Sequence, residues 1–473
     1  MKKLCVFCAI LSLLLVFLSP AMPVLANETD MSVVSGCNSV DAAMTLSPSE
    51  KKAETAKAVI LYELKSDTML YAWNPDERIY PTSMVKLMTA LVAIENASLT
   101  DEVTVTRAAL NSVAIGSVSA GLKAGEVMTL QDLLSCMMVA SANDASAVIA
   151  EYVGGSQAAF IQMMNDKAAE LGCRATAYTN VHGLHDEGTY TTARDLCRIT
   201  EAALENEVFA TMFKTAVHTI PATNKSPERT IKTTNSMMVG SGNKKYPDAR
   251  VTGGKTGATN QGGRCIILTA EQNGMDLLCI VMGAEPTVEE DGSLSRFGSF
   301  EESKELLDYA FGNFEYRQVF FDGQSVAQYP VSGGASDVVT QPAESASTVL
   351  PKDIDVSTLK WVYQQTAGTI TAPVKQGAKL GTVQVWYGEK CLAQTQMVAM
   401  HDVSVKTAPI VPERPAGIMN DENWLPVLLI VGILVGLLLI GVVIVLVMRY
   451  TRILRRRARR REMRKRRRSE RNG

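Results

Sequence analysis

The sequence predicts an α+β domain in which an antiparallel sheet packs against a helical cluster, then a small all-β domain and one transmembrane helix. Three observations carry this. Short apolar strands open the domain near residue 58, amphipathic helical runs fill its middle, and strands return after residue 250. Strands at both ends of a helical block form one sheet only if those ends come together. A later run of β-like segments and a long uncharged stretch complete the pattern.

In chain order, residues 58–64 and 69–73 are apolar strands joined by Lys65-Ser66-Asp67, a hairpin signal. Apolar residues at helical spacing follow over 87–94 and over 130–153, with a break near Ser141. Residues 158–171 form another amphipathic helix, ended by Gly172, and 192–204 a further one. Two strands, 265–270 and 276–282, flank Asn273-Gly274, a pair suited to a tight hairpin turn, and 301–311 is a closing helix. Residues 53–315 are therefore expected to be one domain. Over 316–408, short runs such as 382–387 alternate with Gly-rich and Ser-rich turns, which predicts a β domain. Pro409, Pro412 and Pro415 make 409–424 a semi-rigid stalk.

The ends of the chain predict location. Of 473 residues, 47% are hydrophobic and 20% charged, which excludes a disordered chain or a fibre. Residues 1–26 read as a secretory signal peptide: Lys2 and Lys3, an apolar run, then small residues before a cleavage site at Asn27. A polar leader, 27–52, follows. Residues 425–448 are 24 without a charge, about 36 Å of helix and enough for one bilayer crossing, which excludes a multi-span transporter. Trp424 and Tyr450 stand at its ends, where interfacial rings are favoured. Residues 449–473 hold 14 basic and 2 acidic residues, a net of +12. That tail is expected in the cytoplasm, against anionic lipid, with residues 27–424 outside the membrane. Residues 27–448 carry 31 basic and 47 acidic residues, a balance that argues against a nucleic-acid partner. Seven Cys remain after cleavage, several within apolar runs, and they read as small buried hydrophobes rather than a disulfide framework or a zinc site.

Three short motifs could carry chemistry. In Ser83-Met84-Val85-Lys86, a hydroxyl and an amine stand one helical turn apart on one face, near a helix start whose free N–H groups could stabilise an oxyanion. Burial would let Lys86 lose its proton and act as a base. Ser141-Ala142-Asn143 falls at a break between helical runs, where it could supply a second hydroxyl and an amide. Lys255-Thr256-Gly257 heads the later strand region and suits a substrate carboxylate, with Gly257 permitting close approach. Each motif alone is common. Ser49–Lys52 in the leader repeats the first spacing, and Ser241-Gly242-Asn243-Lys244 matches two patterns in a loop. A phosphate-binding loop ending at Thr256 would need Gly where Ala249 stands. His182 and His185 lack a carboxylate or thiol at ligand spacing, so they read as loop residues and no metal is expected.

Together, in this order and in these elements, the three motifs are specific. The chain resembles the low-molecular-mass penicillin-binding proteins that are serine-type D-alanyl-D-alanine carboxypeptidases, the peptidase S11 family. Thr179–Leu184 and Thr191–Leu196 also look like this family. The resemblance implies a β-lactamase/transpeptidase-like fold and removal of the terminal D-Ala from peptidoglycan pentapeptides, without a cofactor. It implies Ser83 as nucleophile, Lys86 as general base, Ser141 as proton relay and Asn143 as orienting amide. Lys255 and Thr256 would hold the carboxylate, and the N–H groups of Ser83 and Ala258 would form the oxyanion hole. Expected partners are the stem peptide, β-lactam antibiotics as covalent inhibitors, and the membrane. Two departures stand out: Ala258 where relatives often carry a larger residue, and no Arg around Thr233-Thr234-Asn235, where some relatives have one. Alternatives are a β-lactamase, whose loop Glu has its nearest counterpart in Glu201–Glu205, or a catalytically idle wall-binding protein on the same fold.

Overall fold

The computed structural model describes residues 55–286, 298–366, 368–388, 390–407 and 424–469. The signal peptide, the leader with its Ser49–Lys52 pair, and most of the stalk lie outside them.

Alternation makes the first hairpin. Within Ala58–Glu63 every side chain is buried, so both faces of this strand are covered. It pairs with Thr68–Trp73 through a turn in which Asp67 takes a left-handed φ of 47°. The Glu63 carboxylate ties that turn down by accepting from the backbone N and hydroxyl of Ser66. The other side of Ala58–Glu63 pairs with Met275–Ala284, with Ala58 opposite Met282. The whole sheet is antiparallel, in the order Thr68–Trp73, Ala58–Glu63, Met275–Ala284, Gly263–Gln272, Val251–Thr259. The expected closure of first and last segments is thus present, and the α+β class holds.

The period of two sorts the core. Ile60, Ile267 and Ile280 face the helical cluster, with Leu87, Leu91, Leu134 and Ile149. Val59, Leu61, Ile266 and Leu268 face the opposite side, covered by Phe300, Leu306 and Leu307 of the closing helix, which runs longer than expected, Gly298–Asn313. Side-chain caps set several helix starts: Thr129 accepts from Asp132 N, Ser156 from Ala159 N and Thr192 from Asp195 N.

The residues after the catalytic-type domain form a five-stranded sheet with Val383, Val385 and Met397 in its core. This sheet and the two-stranded ribbon of Phe314–Phe320 with Ala346–Pro351 meet the first hairpin through polar contacts: Lys390 of the sheet donates to Asp67 O at 3.2 Å, and Tyr316 of the ribbon to Glu63 Oε2 at 2.9 Å. One expectation about cysteine is corrected here. Cys391, in the strand Lys390–Ala399, is disulfide-bonded, so not every Cys is a plain hydrophobe. Cys136, Cys173, Cys197, Cys265 and Cys279 are free, and burial pushes the Cys136 thiol up to about 12.

The C-terminal unit is a single helix, Trp424–Ser469, within which Pro426–Arg457 is long and apolar enough to cross a membrane. The helix continues through the basic residues, a conformation that their charge alone did not indicate.

Candidate active site

Ser83 does not open the long helix, as its spacing to Lys86 suggested. It sits in a 3-10 turn, Thr82–Met84, and the α-helix begins at Val85. Thr82 before it has a φ of 54°, unusual for a β-branched residue, which fixes how the turn presents Ser83. Two glycines let the turn be approached. A Cβ on Gly257 would run into Thr82 Oγ1 and Ser83 N, and one on Gly183 into the Thr82 carbonyl.

Lys86 is fully buried. Its Nζ lies 3.2 Å from Ser83 Oγ, 2.7 Å from Asn143 Oδ1 and 2.6 Å from the His182 carbonyl oxygen. Burial holds its pKa well below the usual lysine range, and the positive charge of Lys255 pushes the same way, against an opposing pull from Asp144. The geometry suits the neutral amine. A neutral amine has two N–H donors and one lone pair. Asn143 Oδ1 and His182 O only accept, so each takes an N–H of Lys86, and in the neutral form the lone pair would be left for the Ser83 hydroxyl proton.

Ser141 has a φ of 60°, and the next helix starts two residues later at Asn143 with Ala142 as its N-cap. Ser141 is therefore not itself the cap. Its hydroxyl accepts from Lys255 Nζ at 2.7 Å. Asn143 is held by its backbone N, which donates to Val118 O at 2.8 Å. Next to it, Asp144 accepts from Ser119 Oγ, Ala120 N and Leu122 N and so pins the 118–122 loop beside the site.

Lys255, Thr256, Gly257 and Ala258 lie inside the nine-residue edge strand Val251–Thr259 rather than at its head. Lys255 Nζ is buried and also donates to Thr256 O at 3.1 Å; burial lowers its pKa to about 7. Thr256 Oγ1 donates to Thr234 Oγ1 at 2.7 Å, and Ala258 is exposed. The three motifs thus meet through two direct links: Lys86 to Asn143 and Lys255 to Ser141.

Sequence reasoning missed the part of His182. Its carbonyl is the third partner of Lys86, and burial next to Lys86 lowers its ring pKa to about 4, so the imidazole stays neutral near pH 7. Gly183, in the left-handed region at φ 81°, was the available signal. Gly183→Ala is expected to lower the unfolding midpoint by several degrees, since an Ala at positive φ costs about 1 kcal/mol before any collision is counted. It should also slow acylation of Ser83. A thermal melt with a penicillin-labelling time course checks both, and an unchanged labelling rate would contradict the close packing.

Two other candidates fall elsewhere. Ser241 Oγ donates weakly to Ser236 O at 3.4 Å, and Lys86, Asn143 and Lys255 are not among its partners. Glu201 hydrogen-bonds Tyr62 OH and feels Asp67, both from the first hairpin, and burial raises its pKa to about 7. Nothing around Ser83 is among its partners, so it does not stand as a deacylating carboxylate. Among the described residues, no group of three or more His, Cys, Asp or Glu converges as a metal site would.

Comparisons with known proteins agree on one family. Residues 44–286 match the model of the D-alanyl-D-alanine carboxypeptidase peptidase family, and 314–405 that of the penicillin-binding protein 5 C-terminal domain. The chain is 29% identical to D-alanyl-D-alanine carboxypeptidase DacF of Bacillus subtilis (strain 168), over 74% of this chain and 86% of that protein. It is 31% identical to DacC of Escherichia coli (strain K12), over 75% and 86%. Penicillin binding protein 5 from Haemophilus influenzae superposes with a TM-score of 0.58 at 27% identity, over 76% of this chain and 99% of that one.

Proposed function

The chain belongs to the D-alanyl-D-alanine carboxypeptidase family of penicillin-binding proteins, and from that premise we propose that it removes the terminal D-Ala of peptidoglycan pentapeptides through an acyl-enzyme on Ser83. The observation that carries this is the placement of Lys86, whose buried Nζ lies 3.2 Å from the Ser83 hydroxyl and is fixed there by Asn143 Oδ1 and the His182 carbonyl.

Ser83 Oγ attacks the carbonyl of the penultimate D-Ala while Lys86 takes its proton. The N–H groups of Ser83 and Ala258 stabilise the oxyanion. Collapse breaks the peptide bond, and the departing D-Ala amine receives its proton through Ser141. Lys255 and Thr256 hold its carboxylate. Water then attacks the Ser83 ester, with Lys86 again as base. No cofactor or metal takes part. Incubating the full-length protein in detergent with a pentapeptide tests this by free D-Ala. No release from a properly folded protein, together with no labelling by penicillin, would favour the wall-binding alternative.

The catalytic domain works outside the membrane, anchored by the Trp424–Ser469 helix, with its basic end in the cytoplasm. Protease added to intact protoplasts is expected to digest the ectodomain and spare a tag at Gly473. Loss of the tag at the same rate would reverse this topology.

A further inference from the structure

The carboxylate subsite as built so far lacks a dependable cation. Lys255, with a pKa brought down to about 7 by burial, is charged only part of the time near neutrality. Thr256 binds Thr234, and neither Thr233 nor Asn235 brings charge. A carboxylate leaving water needs a lasting counter-charge and hydrogen-bond donors.

The neighbouring strand offers one. In the antiparallel register Ala258 stands directly opposite Arg264, and Thr256 opposite Ile266. Residues two apart on a strand share a face, so Arg264 lies beside Ala258 and diagonal to Thr256. Opposed Cβ atoms are about 5 Å apart and diagonal neighbours about 7–8 Å, within reach of a long side chain. Ala258 is exposed and presents only a methyl group, so no bulky neighbour on the edge strand covers the guanidinium. Arg264 Nε is buried without a hydrogen-bond partner, and no carboxylate among the described residues pairs with this side chain. A buried, unpaired N–H of a charged group is costly and calls for an acceptor.

We propose that Arg264 is the second cation of the carboxylate subsite, pairing with the terminal carboxylate of a peptide laid along residues 255–258. It thereby sets the preference for substrates that end in a free acid. A guanidinium offers parallel donors in a planar fork that matches a carboxylate. The assignment also gives Ala258 a meaning: a large residue there would stand between Arg264 and the ligand. It rests on the D-Ala carboxypeptidase reading above.

The test uses the full-length protein in detergent and two substrates, a diacyl-Lys-D-Ala-D-Ala peptide and its C-terminal amide. Arg264→Gln is expected to lower kcat/KM on the acid by about 10- to 100-fold, the effect of losing a hydrogen bond to a charged group. Most of the loss should fall in KM, and the amide should change less than about twofold. Arg264→Lys should recover part of the loss on the acid. Equal losses on both substrates, or none on the acid, overturn the assignment. If the Gln variant fails to fold, Arg264→Lys decides alone: its acid-to-amide ratio must fall at least about threefold with the amide rate retained. Wild-type protein that cleaves neither substrate overturns the carboxypeptidase reading and this subsite with it. Wild type that cleaves, with an unchanged ratio in the variants, overturns Arg264 alone.

Discussion

Penicillin is expected to form a covalent adduct on the peptide containing Ser83; the adduct should vanish in Ser83→Ala, and in Lys86→Ala it should form about 10²- to 10⁴-fold more slowly although the hydroxyl remains. The range is that of a lost general base. A serine hydroxyl is a weak nucleophile until a neighbour takes its proton. Lys86 is the amine in reach, at 3.2 Å, and its burial holds its pKa well below the usual lysine range, which favours the base form. The penicillin ring carbonyl mimics the D-Ala-D-Ala carbonyl, and the acyl group it leaves is slow to hydrolyse, so the adduct accumulates for mass spectrometry of a digest. An adduct on Ser49 or Ser241, or undiminished acylation in Lys86→Ala, would overturn the mechanism.

Replacing Lys255 with Ala should have two separable effects. Lys255 donates to Ser141, and in the mechanism proposed above it also holds the substrate carboxylate, so kcat/KM on a free-acid peptide is expected to fall about 100-fold or more, and on the amidated peptide by about tenfold less. Lys255 is also the cation that depresses the Lys86 pKa. Removing it raises that pKa, so Lys86 stays protonated, and inactive as a base, to a higher pH. The acidic limb of the pH profile for acylation should therefore move upward on both substrates. A limb that stays in place would mean that desolvation alone tunes Lys86.

Local patterns carried much of this structure. The hairpins at Lys65-Ser66-Asp67 and Asn273-Gly274 are written in a few adjacent residues, and the Ser83–Lys86 spacing needs only one turn of chain. Where a cap decides it the helix boundary moved little, by one residue at Thr192. Less visible were groups whose partners are distant. The His182 carbonyl is a backbone atom, and no residue type announces that it will meet a lysine 96 positions earlier. The helix Glu207–Phe213 and the ribbon of Val217–Ile220 with Arg229–Lys232 are short and weakly patterned. Arg264 passed unnoticed because its relation to Ala258 exists only in the strand register.

The pairing of Ala58–Glu63 with Met275–Ala284 also bears on when the proposed site can be assembled. Ser83 comes early in the chain, yet the strand bearing Lys255 is held in place by partners that come after it, and the sheet closes only when its last strand docks on its first. Contacts of such sequence separation form late and slowly. A chain still being synthesised or threaded across a membrane carries the serine but not the surroundings that activate it. On the mechanism proposed above, it is expected neither to trim wall precursors nor to be titrated by an antibiotic until residue 284 has emerged, because the hydroxyl would be armed by completion of the domain itself.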